Sequence, residues 1–179
     1  RSRATTLVGV HVNTGMALPP VLVGLVVMLL LWRTGPLGGL DLLYTPAAMG
    51  IAQFVVALPF AAGLTRSAVG ALDPDIHAAL DIDGAGAVTR TRELLRAAGP
   101  QVNVAVAAAF GRAISEVGAS LMVGGNIVGQ TRVLTTAIAL ESGRGEFGRA
   151  IALGLVLLMV ALFVNGLLAW GRRSTVLAP

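Results

Sequence analysis

Arg112 and Glu116 stand four residues apart inside an otherwise apolar stretch, VAVAAAFGRAISEVGASLMVGG, residues 104–125. On a helix that spacing places them one turn apart on one face, where they can pair. A charge inside a hydrophobic span is costly, and such residues face a bundle interior or a water-filled path rather than lipid. Two readings are open for the pair. One is a structural ion pair that fixes how helices pack; the other is the lining of a gate or translocation path. Gly111, Ser115, Gly118, Ala119 and Ser120 surround it, small residues that let another helix come close. Under either reading this stretch sits against other protein.

A second polar group follows the break at Gly124-Gly125-Asn126. Thr131, Thr135 and Thr136 offer hydroxyls and Arg132 offers charge, a donor set that suits an oxyanion. The same residues suit the capping and solvation of a short helix. VLTTAIAL, residues 133–140, is too short to cross a bilayer, so 126–149 reads as a mixed segment with a re-entrant or interfacial helix. Irregular backbone at membrane depth is tolerated only where protein or water satisfies it. Asn126 opens this segment and belongs with Arg112, Ser115, Glu116, Thr131, Arg132 and Thr135 as the candidate pore or gate residues.

Much other chemistry is excluded. The chain has no Lys, so it has no Walker-type phosphate loop and no P-loop ATP hydrolysis of its own. It has no Cys for thiol chemistry or metal binding, and His11 and His77 lie far apart without ligand spacing. Asp81-x-Asp83-Gly84 opens like a calcium loop, but the remaining ligands do not follow at the required spacing. No nucleophile, base and orienting group fall together. A non-catalytic chain with no cofactor of its own is expected.

The elements that must position these residues are membrane helices. Composition says so: 55% hydrophobic, 12% charged, mean hydropathy +0.82 over 179 residues, outside the range of soluble domains. Four apolar runs, 16–32, 45–64, 101–125 and 150–170, have lengths near that of a span. Residues 1–15 read as a short polar-basic approach. Thr45-Pro46 and Asp73-Pro74 are helix starts, and Pro59 should bend the second run. Gln53 reads as an interhelical hydrogen-bond partner, with pore lining the alternative, and Asn165 as a partner for a neighbouring helix. Residues 65–100 form the one long polar segment, with partly helical spacing. The net charge of +4 comes from arginines that flank apolar runs, so membrane topology explains it and nucleic acid is not expected. With both ends and 65–100 on the cytoplasmic side, Arg1, Arg3, Arg66, Arg90, Arg92, Arg96, Arg172 and Arg173 lie inside. Arg33, Arg132, Arg144 and Arg149 lie outside, and the excess supports that orientation.

FGRAISEVGASLMVGGNI followed by TRVLTTAIALES resembles the permease subunits of ABC importers for oxyanions, in the tungstate and molybdate branch. Ser115-Glu116-Val117-Gly118 and Leu134-Thr135-Thr136 are nearer the tungstate form. The likeness extends upstream through NTGMALPPVLVGLVVMLLL and TGPLGGLDLLYTPAAMGIAQFVVALP, nearly the whole chain. The resemblance implies an all-α transmembrane bundle, a single permease domain over 1–179 in the cell (inner) membrane of a bacterium or archaeon. Permeases of this kind carry one more helix before the first run, so a missing N-terminal span is expected. The resemblance also implies partners: a second copy to complete the pore, two copies of an ABC ATPase subunit, and a periplasmic or lipid-anchored oxyanion-binding protein. It makes 65–100 the coupling loop. Ala78, Ala79, Leu80, Asp81 and Gly84 stand nearest the family's coupling motif, although its glutamate is missing.

Tungstate is the expected anion, with a molybdate or sulfate permease as the alternative. Arg112 and Glu116 among broken helices also fit a secondary transporter working without ATP. A membrane scaffold explains packing helices but not the external segment.

Overall fold

The structure, a computed structural model, describes the backbone of residues 3–176 and the side chains of residues 7–168. Nine α-helices follow one another among the described residues: α1 (Arg3–Ala17), α2 (Pro20–Leu31), α3 (Pro46–Gly70), α4 (Pro74–Ile82), α5 (Ala87–Ala97), α6 (Gly99–Ile114), α7 (Gly118–Gly124), α8 (Leu134–Gly143) and α9 (Phe147–Val176). Among the described residues only α3 and α9 are individually long and apolar enough to cross a membrane. The number rises to four if α1 with α2, bent by 98°, and α6 with α7, bent by 54°, each count as one broken span. These four units carry the four apolar runs of the sequence.

Prolines and short polar side chains set several helix starts. The Thr45 hydroxyl accepts the Ala48 amide at 3.4 Å ahead of Pro46. The Asp73 carboxylate accepts the Asp75 amide at 2.9 Å ahead of Pro74. Each cap satisfies a donor that has no partner within its helix. At Pro19 the chain cannot donate a helical hydrogen bond, and the break between α1 and α2 falls there. Pro59, in contrast, lies inside α3 without ending it.

α3 is the central element, packing against α1, α2, α6 and α7. Its buried face, Ala48, Met49, Ala52 and Val56, meets Val23, Val27 and Leu31 of α2 and Ala119 and Val123 of α7. Small residues bring these helices close. A Cβ on Gly24 of α2 would stand 2.6 Å from the Ala119 Cα. α8 folds back on α9, and α9 also touches α6. Most of the described α9 side chains are otherwise uncovered, including Leu155, Met159, Leu162 and Phe163. A helix apolar on all sides and exposed on most of them is a lipid- or protein-facing helix of a membrane bundle.

Four expectations change. Residues 1–15 are not a polar approach: α1 occupies 3–17. Its Val12 and Met16 pack over Gly63 of α3, and this contact outweighs the weak helix preference of its Thr, Gly and Asn residues. Residues 65–70 complete α3, so the polar segment holds α4, α5 and the start of α6. The 101–125 run is broken at Ser115–Val117 as well as at Gly124. Asn165 bonds within its own helix, its amide donating to the Ala161 carbonyl at 2.9 Å. Arg3, Arg172 and Arg173 fall outside the described side chains, and Arg1 outside the described backbone.

Candidate functional site

The break between α6 and α7 is built around Glu116. Its Oε2 accepts from Arg112 Nη1 at 2.8 Å, and its Oε1 accepts from the Ala119 amide in the first turn of α7 at 3.0 Å. Glu116 is 4% exposed and Arg112 27%. One carboxylate thus pairs with the end of one helix and caps the start of the next, where a negative charge also meets the positive end of the helix dipole. The guanidinium is placed from the other side by Phe60 of α3, whose ring centroid lies 5.4 Å from the Arg112 Cζ. The Thr135 hydroxyl donates to the Glu116 carbonyl at 3.4 Å and ties α8 to the same break. Four helices therefore meet at the pair.

The second break is held by Thr131. Its hydroxyl donates to the Gly124 carbonyl and accepts the Ile127 amide at 2.9 Å. Gly125 and Asn126 have φ of 67° and 53°, left-handed values that glycine and asparagine tolerate best. Tyr44, itself at φ 64°, lies over Gly125 and donates its amide to the Val123 carbonyl at 2.9 Å. Arg132 reaches back to Asn126, Nε to Oδ1 at 3.2 Å and Nη2 to the carbonyl at 3.4 Å. Thr136 caps α8: its hydroxyl accepts the Val133 amide and donates to the Val133 carbonyl, both at 3.0 Å.

A cleft of about 610 Å³ opens between α3, α6, α8 and α9, lined by Gln53, Phe110, Ile114, Arg132, Thr135 and Leu157 among others. Gln53 also donates to Ser120 of α7 at 3.4 Å. The cleft is apolar in the main, with an amide, a hydroxyl and one guanidinium at its surface.

The seven candidate pore residues thus separate. Arg132 and Thr135 line the cleft, while Arg112 and Glu116 form the buried pair behind it. Asn126 anchors Arg132. Thr131, 1% exposed, spends its hydroxyl inside the turn, and Thr136, also proposed as an anion donor, spends its own on the helix cap. Ser115 is exposed and donates to the Arg112 carbonyl at 3.2 Å. Of the small residues, Gly118 and Ala119 meet Val21 and Gly24 of α2, whereas a Cβ on Gly111 would meet open space. Phe60 and Tyr44 were missed. No spacing rule joins position 60 to 112 or 44 to 125, because those contacts exist only once α3 is packed.

The coupling candidates lie together. Ala78, Ala79, Leu80 and Asp81 are on α4, with Ala78, Ala79 and Asp81 exposed. Asp81 forms an ion pair with Arg90 of α5. Gly84 ends α4 at φ 62°, with its amide on the Asp81 carbonyl at 3.3 Å and the next amide, of Ala85, on the Leu80 carbonyl at 3.1 Å. This pair of bonds is the Schellman ending that favours glycine. Among the described residues no group of three or more His, Asp or Glu is placed to hold a metal ion.

Broken apolar helices around a cleft with a few polar donors are the marks of a membrane transport component. The chain belongs to the family of binding-protein-dependent transport system inner membrane components, whose model matches residues 1–175. It is 44% identical over 169 residues to a probable anion ABC transporter permease protein of Haloferax volcanii, covering 92% of this chain and 73% of that one. It is 45% identical over 153 residues to the tungstate uptake system permease protein TupB of Peptoclostridium acidaminophilum, with 86% and 67% covered. The TupB protein of Campylobacter jejuni is 35% identical over 154 residues, with 86% and 64% covered. The all-helical fold, the permease class and the membrane location expected from the sequence are thereby established.

Proposed function

We propose that this chain is the pore-forming, non-catalytic permease of an ATP-driven importer for tungstate. The observation that carries the anion is the 45% identity to a tungstate uptake permease across most of the chain. The cleft supports the reading. Arg132 supplies one positive charge, and Gln53 has a second amide N–H beyond the one given to Ser120, a sparse donor set that holds a desolvated oxyanion without trapping it. Binding must be favourable enough to admit an ion and weak enough to release it. Two copies face each other to close the path. A separate binding protein delivers the anion, and ATPase subunits dock against α4 through Ala78, Ala79, Leu80, Asp81 and Gly84. The chain itself binds no cofactor. The Arg112–Glu116 pair holds the α6–α7 break in register while the bundle rocks.

The test uses the full-length protein in membranes with its ATPase and binding protein. Tungstate uptake is measured for wild type and for a variant in which residues 78–84 are replaced by a Gly/Ser linker. Loss of both ATPase co-purification and uptake, with the permease still inserted, is expected. ATP-independent uptake by the wild type overturns the ABC reading in favour of a secondary transporter. Preference for molybdate or sulfate with ATP dependence intact overturns only the assignment of the anion.

A further inference from the structure

α5 presents two different faces. Leu94, and Ala98 just beyond the helix, are buried against the bundle, where α5 touches α3 and α6. On the outer side Val88, Thr91 and Leu95 lie in a row at helical spacing, with Val88 84% exposed and Leu95 38%. Arg92 and Arg96 border this row, and all of these residues line one shallow groove on the helix surface. No other described residue lines it.

Three observations identify what covers it. α5 ends at Ala97 and α6 begins at Gly99, so α5 adjoins the start of the α6–α7 pair, which together is long and apolar enough for one broken span; the start of a span lies near the headgroup region. Arginine beside an apolar row is the arrangement in which the stem lies along hydrocarbon while the guanidinium reaches the interface. The charge of the polar segment is also divided. α4 and its caps carry Asp73, Asp75, Asp81 and Asp83 without an arginine, whereas α5 carries Arg90, Arg92 and Arg96 against Glu93. An anionic surface attracts α5 and repels α4. Arg90 is engaged with Asp81, and Arg96 shares Glu93 at 3.4 Å on the exposed side.

We propose that α5 is a membrane-surface helix that binds anionic phospholipid. Val88 and Leu95 seat at the acyl boundary, and Arg92 and Arg96 engage headgroup phosphates, which a planar guanidinium accepts through paired hydrogen bonds. The contact fixes the basic half of the polar segment against the bilayer and leaves acidic α4 turned away from it. This inference needs only that the chain is embedded in a membrane and is independent of which anion it carries.

The chain has no Cys, so a single introduced thiol reports one position. Val88→Cys, and Ala78→Cys on α4 as reference, are spin-labelled in the full chain in nanodiscs of phosphatidylcholine with phosphatidylglycerol. The label at 88 is expected to be shielded several-fold from a water-soluble nickel chelate relative to the label at 78, and open to oxygen. Removing phosphatidylglycerol, or adding Arg92→Gln with Arg96→Gln, is expected to expose it. Equal nickel access at 88 and 78 overturns the proposal. So does shielding that arises only when the ATPase is added, which makes the groove a protein-docking face. Shielding that survives both removal of anionic lipid and neutralisation of the arginines overturns the headgroup contact.

Discussion

A single carboxylate, Glu116, serves two helices, and its replacements separate its two tasks. Glu116→Ala removes the partner of Arg112 and the cap of α7 together. Breaking a buried pair from one side costs about 3–5 kcal/mol. A large fall in the unfolding temperature of the detergent-solubilised protein, and in membrane abundance, is expected; an unchanged melting curve would reject any structural role for the pair. Glu116→Gln retains an oxygen to accept the Ala119 amide but turns donors toward Arg112, so its loss should be smaller. Phe60→Leu removes only the aromatic face under the guanidinium and should cost about 1 kcal/mol, read from the same melting curves. The pairing was legible because residues four apart meet on a helix. That Glu116 lies beyond the helix end and caps the next one was not legible. Ser115-Glu116-Val117 contains neither Gly nor Pro, and the break is stabilised by bonds from Thr135 and Ala119 that no local pattern announces.

Helix contacts in this bundle are set by how closely backbones approach, and α2 against α7 is the tightest case to test. A Cβ at position 24 would meet the Ala119 Cα at 2.6 Å, backbone that cannot swing aside. Gly24→Ala must therefore push α2 from α7 and uncover part of the Val23, Val27 and Val123 core. Overpacking of this kind costs about 1–3 kcal/mol, so lower thermal stability with the secondary structure retained in circular dichroism is expected. A Gly24→Ala protein as stable as wild type would mean that the two helices are not in contact. At this scale the sequence spoke clearly where a local rule operates. The starts at Thr45-Pro46 and Asp73-Pro74 and the glycine ending of α4 are written in adjacent residues. It spoke poorly for α1. Helix formation there depends on Val12 and Met16 finding Gly63, a partner some fifty residues on in sequence, and Asn165 turned to its own helix because α9 has little protein around it.

Under the proposed function, assembly and passage separate along the length of α6. At 1.5 Å per residue its sixteen residues span about 24 Å. α5 joins one end, and Phe110, Ile114 and the cleft lie toward the other. Changes in the cleft should therefore affect transport without affecting partner binding. Arg132→Gln removes the charge facing the cleft and loosens the hold on Asn126. Thr135→Val removes one hydroxyl while keeping shape, leaving the Glu116 carbonyl without that donor. Both variants should insert normally and keep ATPase subunits through purification, while tungstate uptake in reconstituted vesicles falls several-fold, more for Arg132→Gln. The contrast with the 78–84 linker variant is the informative part, because that change removes the ATPase first and uptake as a consequence. Equal uptake by wild type and Arg132→Gln would take the cleft out of the translocation path. The path would then have to run elsewhere, along the surface where the two copies of the proposed assembly meet.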